Sequence, residues 1–558
     1  MKLKTEMKTR TLFQACMLLV ATLLTAGCAN DDTVHNEQQG TDNIPAGTTL
    51  FSGNIYSSAN TRTAILDHTK GAGAKVIWST GDQIWVKDDG NTWRQSGAAN
   101  ISAASNNTYA SFVLTGTYTG ASHDVIYTNK PISGTQPQVE IKSTQTQSAP
   151  NNFDHAGASG DFAIAKATKP HGRYEFTLDH KVAYLCLIPR SSNEYVHHSK
   201  LTKVEIESED DIAGTYNIAT DGTLTLASGG SKTITLTTGS GFDVTNTADD
   251  MSKNAAYAVI APGNHKLRIR YWLKNDVDGV GPTGAVASIE GTVTKYVTMN
   301  FDSGKIHDIT ANLDPKDYDG DHYYLWDAKE QYWHGYEWTH GNALWQTTKP
   351  TWSGSSFYPK SKTTDPDRWC NDSYPGYGVR NDAQTPFFQS LPNANELAWY
   401  VMKGNPCWDK DELWSTMGHL YKGGMWFKKK ANIPGFTDAH IPNSTVDLRT
   451  STYYMEPPSK DELANVPSGT KIPPISDMSQ YFYLPALGYY FNGSLNDVGG
   501  TGNYYSSSAF ASKIQYAEPK NLFAWELRFY KDFTEVTSRG YRTSSAFIAQ
   551  KFSDFGED

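Results

Sequence analysis

The sequence predicts a mainly β protein with an α+β C-terminal domain. Short runs rich in β-branched and aromatic residues, bounded by turn-forming residues, follow one another to about residue 312. Helical signals begin only after that point. The composition changes at the same place, because 11 of the 15 tryptophans lie between Trp326 and Trp525. At roughly 100–200 residues per domain, a chain of 558 residues is expected to form about three domains.

The N-terminus has the pattern of a secretion signal (1–27) followed by a flexible tether (28–47). A basic stretch precedes the apolar run CMLLVATLL, which is too short to span a membrane. Ala26 and Gly27 stand directly before Cys28, which resembles a bacterial lipobox, although Thr25 replaces the usual leucine. The resemblance implies that Cys28 is acylated and anchors the protein to a membrane surface. An ordinary cleaved signal is the alternative. The acidic NDD that follows resembles the tag that directs lipoproteins to the outer face of the outer membrane in Bacteroides-like bacteria.

Charge and motifs exclude several classes of function. The formal net charge is −10 and the pI about 5.8, which argues against a nucleic-acid partner. The sequence contains no Gly-Lys-Ser/Thr phosphate loop, no His-Glu-x-x-His zinc helix and no Cys-x-x-Cys pair. Serine, histidine and aspartate form no recognisable nucleophile elbow. We therefore expect neither an enzyme nor a cofactor.

One acidic run has a spacing that resembles a calcium loop. DYDGD places Asp317, Asp319 and Asp321 at alternate positions, as oxygen ligands require. An EF-hand also needs glycine at position 6 and glutamate at position 12, which are His322 and Ala328 here. The run is therefore interpreted as a polar hinge at 314–322, with no metal.

An ordered series of patterns at about 48–312 resembles the fimbrillin family of Bacteroides-type pilus proteins. It begins with TRTAI and VIWSTGDQIWV, continues through FDHAGASGDFAIAKAT and FTLDHKVAYLCL, and ends with YAVIAPGNHKLRIRY and GKIHDITANL. The resemblance implies two tandem fimbrillin-type β-sandwiches, at 48–175 and 176–313. It also implies that an arginine-specific protease cuts after Arg62 and removes the first strand, so that a neighbouring subunit fills the groove by donor-strand exchange. A surface arginine in a loop is the alternative.

The region 323–558 resembles the Fibrobacter succinogenes major paralogous domain. The resemblance rests on LPALG, YYSSS and RGYR, whereas SAF replaces the usual basic residue near the final strand. It implies a C-type-lectin-like fold in which YYLW is the first strand and pairs near the final AFIAQKF strand. In EPK a lysine stands where a calcium-dependent lectin needs an amide oxygen, so no such sugar site is expected.

Helices and cysteines give further expectations for this region. PNANELAWYVMKG has the capping-box pattern at Asn393 and Glu396, and DKDELWSTMGHLYKGG and PPSKDELANVP also show helical signals. Cys186 lies in an apolar strand and is expected to be a buried, inert thiol. Cys370 and Cys407 could form a disulfide in an oxidising compartment, but the sequence does not show whether they are within reach.

Candidate ligand-binding residues lie in the long loops that form the recognition face of lectin-like folds. Aromatic rings there stack on sugars or anchor protein interfaces, although most rings in the region are expected to be core. The candidates are Trp369, Tyr374, Tyr377, Tyr453, Asn492, Tyr504 and Tyr505.

Together these features predict a cell-surface adhesin. A C-terminal lectin-like domain stands where a mid-filament subunit would donate its strand, which favours a pilus tip subunit. The expected partners are other pilus subunits, a host or bacterial glycan or protein ligand, and the outer membrane through the lipid anchor. A non-polymerising outer-membrane lipoprotein that binds glycans is the alternative. A formylglycine-generating type of enzyme, which shares the lectin-like fold, is the least favoured interpretation.

Overall fold

The computed structural model describes residues 45–54, 64–66, 68–71, 75–102, 105–170, 172–452, 472–512 and 522–557. The predictions for the signal peptide, Cys28, Arg62, Tyr453 and the PPSKDELANVP helix lie outside these residues. Among the described residues, no helix is long and apolar enough to cross a membrane.

Strands dominate the described chain, and this confirms the mainly β fold class. The first 13 strands are β1 (Thr48–Asn54), β2 (Ala64–Leu66), β3 (Lys75–Ile77), β4 (Trp85–Lys87), β5 (Trp93–Gln95), β6 (Asn100–Ile101), β7 (Tyr109–Thr115), β8 (Ser122–Tyr127), β9 (Gln138–Ile141), β10 (Thr144–Thr146), β11 (Ala163–Thr168), β12 (Tyr174–Thr177) and β13 (Asp179–His180). The next nine are β14 (Ala183–Arg190), β15 (Ser199–Ser208), β16 (Ala213–Ile218), β17 (Leu224–Ser231), β18 (Thr233–Asp243), β19 (Ala256–Ile260), β20 (Gly263–Val280), β21 (Val286–Phe301) and β22 (Ile306–Asn312).

The C-terminal region adds shorter strands and the longest helix. Its strands are β23 (Lys316–Tyr318), β24 (Tyr323–Tyr324), β25 (Cys407–Thr416), β26 (His419–Lys428), β27 (Tyr481–Pro485), β28 (Tyr489–Phe491), β29 (Ser494–Asn496), β30 (Thr501–Ala509), β31 (Phe523–Tyr530), β32 (Phe533–Tyr541) and β33 (Ser545–Ile548). The described α-helices are α1 (Ala156–Ser159), α2 (Glu194–His197), α3 (Met251–Asn254), α4 (Pro386–Gln389) and α5 (Ala394–Lys403), and the 3-10 helices are Trp338–His340, Lys430–Asn432, Leu448–Thr450, Ile475–Gln480 and Phe552–Phe555.

The first region is a nine-stranded sheet in the order β5-β4-β8-β11-β12-β1-β7-β6, with β13 paired to β11. Its core contains Phe51, Trp78, Phe112 and Phe176, all of them buried. Strands β9 and β10 pair instead with β16 and β18. Residues 138–162 therefore contribute Val139, Ile141, Phe153 and Phe162 to the second core, although they precede the predicted boundary at 175.

The second region contains two three-stranded sheets, β19-β14-β22 and β17-β16-β9, and a nine-stranded sheet that continues into the C-terminal region. That sheet runs β10-β18-β15-β20-β21-β25-β26-β27, and β23 pairs with β25. The long β20–β21 hairpin thus joins the two regions through hydrogen-bonded strands. The predicted hinge at 314–322 contains β23, which is paired in parallel with β25 from Lys316 to Tyr318.

The last sheet runs β29-β28-β33-β30-β31-β32, and β24 pairs with β33. The pairs Tyr323↔Ile548 and Tyr324↔Phe547 confirm the predicted partnership of YYLW with the final AFIAQKF strand. Helix α5 begins with the predicted capping box, in which Asn393 accepts from the Glu396 backbone and Glu396 accepts from the Asn393 backbone.

The helix predicted in DKDELWSTMGHLYKGG is wrong, because this segment forms the β25–β26 hairpin. Thr416 pairs with His419 across a two-residue turn, and Met417 and Gly418 both have positive φ angles, 48° and 77°. Two successive residues in this conformation are typical of the tight turns that join twisted strands. Trp414 and Leu413 are buried in the sheet, so packing against β21 and β26 overrides the local helical signal.

Candidate functional site

The first candidate site is the strand slot, the space between β7 and β12 that β1 fills. Seven residues of β1 pair antiparallel with β7, and four pair in parallel with β12. Phe51 is fully buried, stacks on Tyr174 with ring centroids 4.6 Å apart, and meets Tyr118 edge-on at 5.0 Å. Because β1 is paired along both edges, its removal would leave two rows of backbone donors and acceptors without partners.

The strand slot also sets a steric requirement at Gly53. A Cβ at this position would stand 2.5 Å from Cζ of Phe176 and 3.0 Å from the Trp78 ring. No side chain fits there unless the rings move. Any strand that replaces β1 therefore needs glycine at this position and a large apolar side chain two residues earlier.

The second candidate site is the tryptophan loop, residues 338–357. Its backbone is docked on the β28–β29 turn, because the Ser355 amide donates to the Gly493 carbonyl at 3.1 Å. Gly354 lies against Gly493, where a Cβ would come within 2.3 Å of the Gly493 carbonyl carbon. The fixed backbone nevertheless leaves Trp352 99% exposed and Leu344 70% exposed. Trp338 and Phe357 are also among the exposed large hydrophobic residues.

The β28–β29 turn extends this surface. Phe491 is exposed at the end of β28 and pairs with Ser494 across Asn492 and Gly493. The two turn residues have φ angles of 46° and 79°, the conformation that favours Asn-Gly in hairpins. The predicted ligand-binding residue Asn492 is thus exposed, and it also has a structural reason to be asparagine.

The third candidate site is the tyrosine loop, residues 369–380, where Tyr377 is 72% exposed. This loop too has a fixed backbone. The Gly378 amide donates to the Ala511 carbonyl at 2.9 Å. The buried guanidinium of Arg542 donates from Nη1 to the Asn371 and Ser373 carbonyls, at 3.0 and 3.2 Å. The predicted residues Trp369 and Tyr374 are half-buried in the loop.

Two predicted ligand-binding residues lie in the core instead. Tyr504 and Tyr505 are each 1% exposed on β30, which lies between β33 and β31. Their hydroxyls donate to the carbonyls of Pro485 and Ser545, at 2.6 and 2.7 Å. Burial raises the pKa of both phenols well above the ordinary value. These two rings cannot meet a ligand from solvent, because strands and loops cover both faces of the sheet at this point.

The disulfide considered for Cys370 and Cys407 is not formed. Both are buried free thiols, and burial raises the pKa of each, that of Cys370 to about 12. Cys407 begins β25 and donates to the Asn405 carbonyl, whereas Cys370 lies in the tyrosine loop. Cys186 is buried on β14, as predicted, and burial raises its pKa well above the ordinary value.

Two groups of described residues have the donor atoms that metal ions prefer, and within each group these atoms lie within 4.8 Å of one another. The groups are His68, Cys186 and Asp308, which are largely buried, and Asp319, Asp321 and His322, which are largely exposed. In the first group, protein contacts already explain the arrangement. His68 Nδ1 lies 3.1 Å from the Tyr257 hydroxyl, and the Gly71 amide donates to Asp308 at 2.6 Å. The expectation of no metal stays a prediction.

Trp352, Leu344 and Phe491 are exposed but were not among the residues predicted from the sequence to bind a ligand. A signal for Trp352 was present, since KPTWSGSS places a lone tryptophan between Pro350 and Gly354, two residues that favour turns. A ring in such a segment is outside any apolar periodicity, and exposure was the more reasonable expectation for it.

No family model and no curated protein matches this chain. Solved structures that it resembles include a protein assigned to cell adhesion from Bacteroides ovatus, with 15% identity, a TM-score of 0.29 and coverage of 47% of this chain and 92% of that one. A second from Bacteroides uniformis has 17% identity, a TM-score of 0.26 and coverage of 46% and 99%. The fimbrial anchor protein Mfa2 from Porphyromonas gingivalis has 11% identity, a TM-score of 0.20 and coverage of 46% and 99%. At these scores the similarities carry no argument for a shared function.

Proposed function

We propose that this protein is a cell-surface adhesin whose C-terminal region binds a glycan or protein ligand through the tryptophan and tyrosine loops. The observation that carries the proposal is the exposure of Trp352 and Tyr377 on loops whose backbones are fixed. A loop backbone that is fixed before binding lowers the entropy cost of recognition, and aromatic side chains contribute most of the energy at many interfaces. The proposal includes no catalytic role and no nucleic-acid partner.

In this proposed role the protein is the tip subunit of a pilus and is anchored through Cys28 until it is processed. Its strand slot is suited to receive a donor strand, because β1 is paired along both edges and precedes Arg62 in the chain. The segment from β33 to Glu557 is not available for donation. Glu557 is 3% exposed and accepts from the Tyr400 hydroxyl and the Lys430 amide, at 3.0 and 2.8 Å.

A second candidate function is an anchored glycan-binding lipoprotein that never polymerises. One observation favours it: β1 fills the strand slot, so a chain that keeps this strand has no place for a donor. The two candidates differ in whether cleavage after Arg62 occurs on the cell.

N-terminal sequencing of protein from the cell surface, combined with immunogold labelling, separates the two candidates. A new N-terminus after Arg62 and label at filament ends support the tip subunit. A blocked, lipidated Cys28 in all material and uniform membrane label support the anchored binder.

Recognition itself is tested by binding of the full-length protein to arrays of glycans and of surface proteins, with Trp352→Ala and Tyr377→Ala as variants. Loss of binding in either variant supports the proposal. Binding that both variants retain, or no binding on any array, would refute the role of these loops.

A further inference from the structure

A cleft of about 360 Å³ lies where β21 of the second region meets β25–β27 of the C-terminal region. Residues 314–316 and the C-terminal 3-10 helix Phe552–Phe555 complete its wall. We call it the junction cleft. Its volume is within the range of roughly 300–1,000 Å³ that is usual for small-molecule sites, and such sites often lie between domains.

One wall of the junction cleft is aromatic. Trp426 on β26 and Tyr483 on β27 are directly opposite partners across the two strands, with ring centroids 5.0 Å apart, and both are half-buried. The Tyr483 hydroxyl is buried and has no hydrogen-bond partner among the described residues.

Two other lining residues supply positive charge. Lys295 on β21 is half-buried, and within the described parts of the chain its ammonium has neither an ion pair nor a hydrogen bond. Lys316 adds a second ammonium at the rim, held 4.9 Å from the centre of the Tyr318 ring. A cation that is partly removed from water and has no partner favours an anionic ligand.

Two acidic residues line the cleft, Asp314 and Glu412, and each accepts hydrogen bonds from groups other than Lys295. Asp314 accepts from the hydroxyls of Ser191 and Ser192, at 2.5 and 2.9 Å. Glu412 accepts from the hydroxyls of Thr292 and Thr294, at 2.9 and 2.6 Å, and from the Thr294 amide at 3.1 Å. Its carboxylate makes no ion pair with Lys295 within 4.0 Å in the described structure. The threonines hold the Glu412 carboxyl and the serines hold that of Asp314. The charges of both acids act on the Lys295 ammonium, but neither forms an ion pair with it in the described structure.

We infer that the junction cleft binds a carboxylate-bearing sugar, with the sugar ring against Trp426 and the carboxylate at Lys295. The inference rests on the proposed function and adds to it a ligand class and a second binding site, separate from the two loops. Sugar rings stack on aromatic faces, and an ammonium in a partly dry site discriminates an acidic sugar from a neutral one of similar shape. The acid could come from a uronic acid or from a sialic acid, which share this chemistry.

Isothermal titration calorimetry on the full-length protein tests the inference, with glucuronic acid, N-acetylneuraminic acid and neutral glucose as probes. We expect one of the two acids to bind and glucose not to bind. Which acid binds identifies the source. Lys295→Met is expected to raise the Kd for the acid at least about ten-fold. A ten-fold change in Kd corresponds to about 1.4 kcal/mol, as expected for the loss of one ionic contact. Lys266→Met, a half-buried lysine on the adjacent β20 outside the cleft, is the matched control.

Three results would overturn the inference: no binding of either acid by folded protein, equal binding of glucose, or unchanged affinity in Lys295→Met. Trp426→Ala provides a second variant, and its affinity for the acid is expected to fall. The thermal midpoint of this variant reports separately whether it is folded. If neither acid binds but the protein still binds a ligand on the arrays, the inference about the cleft is wrong and the proposed function still stands.

Discussion

Two neighbouring aromatic-rich segments of the C-terminal region differ in the burial of their tryptophan side chains. In residues 321–333, Trp326 and Trp333 are fully buried, whereas in the tryptophan loop Trp352 is almost completely exposed. Side-chain packing separates them, because Trp326 packs against Phe388 and Trp333 against Tyr490, whereas the Trp352 side chain points out of a loop that is held at other residues. Aromatic content alone therefore does not distinguish core from recognition surface. The contacts of each side chain do.

The largest expected effect is the loss of a core ring. Trp326 is buried, and its indole donates to the Ser506 carbonyl at 3.0 Å. Trp326→Ala should lower the free energy of unfolding by about 3–5 kcal/mol, because it leaves a cavity and an unpaired carbonyl. Urea denaturation followed by circular dichroism measures it. A change below about 1 kcal/mol would show that this segment is not core.

A smaller loss of stability is expected on substitution of Arg542, whose guanidinium lies against the Trp326 ring. Arg542 is buried, lies 4.4 Å from the Trp326 ring centre, and donates to the carbonyls of Phe523, Asn371 and Ser373. Arg542→Met keeps most of the volume but leaves these carbonyls without this donor, at a cost of about 1–3 kcal/mol. The same denaturation experiment applies. Arg542→Lys should not restore full stability, since one ammonium cannot reproduce the geometry of the guanidinium.

A pH effect is expected at the junction of the second and C-terminal regions. Burial, with the nearby charge of Asp409, raises the pKa of Glu412 to about 7 from its ordinary 4.5. Between pH 4.5 and 7 the folded protein keeps a proton on Glu412 that the unfolded chain has released. The free energy of unfolding therefore falls as the pH rises from 4.5 to 7. Burial lowers the pKa of His419 to about 4, which acts in the opposite direction between 4 and 6.5.

The Glu412 contribution is therefore measured as a difference. We expect the wild-type stability minus that of Glu412→Gln to decline between pH 4.5 and 7 and to stay level above 7. A difference that is flat throughout would mean that the carboxyl titrates normally. His419→Gln serves as the control, and its difference profile should rise with pH.

The smallest effect on stability is expected on the exposed ring. Trp352→Ala should change the free energy of unfolding by less than about 0.5 kcal/mol, because the side chain has almost no protein contact. Thermal denaturation measures this, in parallel with the array binding that the same substitution is expected to abolish. A large loss of stability in Trp352→Ala would show that Trp352 contributes to folding, as Trp326 does, and would contradict the contrast between the two residues.

The sequence predicted the features that depend on short-range chemistry or on a recognisable pattern. The capping box at Asn393, the buried thiol of Cys186 and the pairing of Tyr323 with the final strand were all found. The β25–β26 hairpin was mispredicted because its helical signal is local, whereas its partner β21 lies more than 100 residues earlier in the chain. Tyr504 and Tyr505 were assigned to a surface for the same reason, since their burial depends on strands distant in sequence.

The junction cleft could not be predicted at all. Lys295 and Trp426 lie on strands of different regions and meet only because β21 and β25 join in one sheet. Neither residue belongs to a motif, and a lone lysine in a strand of alternating residues is ordinarily a solvated surface group. Only the three-dimensional arrangement shows that its ammonium lacks a partner.

The position of β1 has a mechanical consequence. This strand is flanked by β7 and β12, and it is the first strand of the described residues. A force applied at the N-terminal end of β1 along the strand would load its hydrogen bonds to both neighbours simultaneously in shear, rather than opening them one at a time. Forced extraction is governed by the unfolding rate, so single-molecule stretching should find a high rupture force for β1 while it is in place. The strand whose loss would open the slot to a partner is thus also a force-bearing element of the first region.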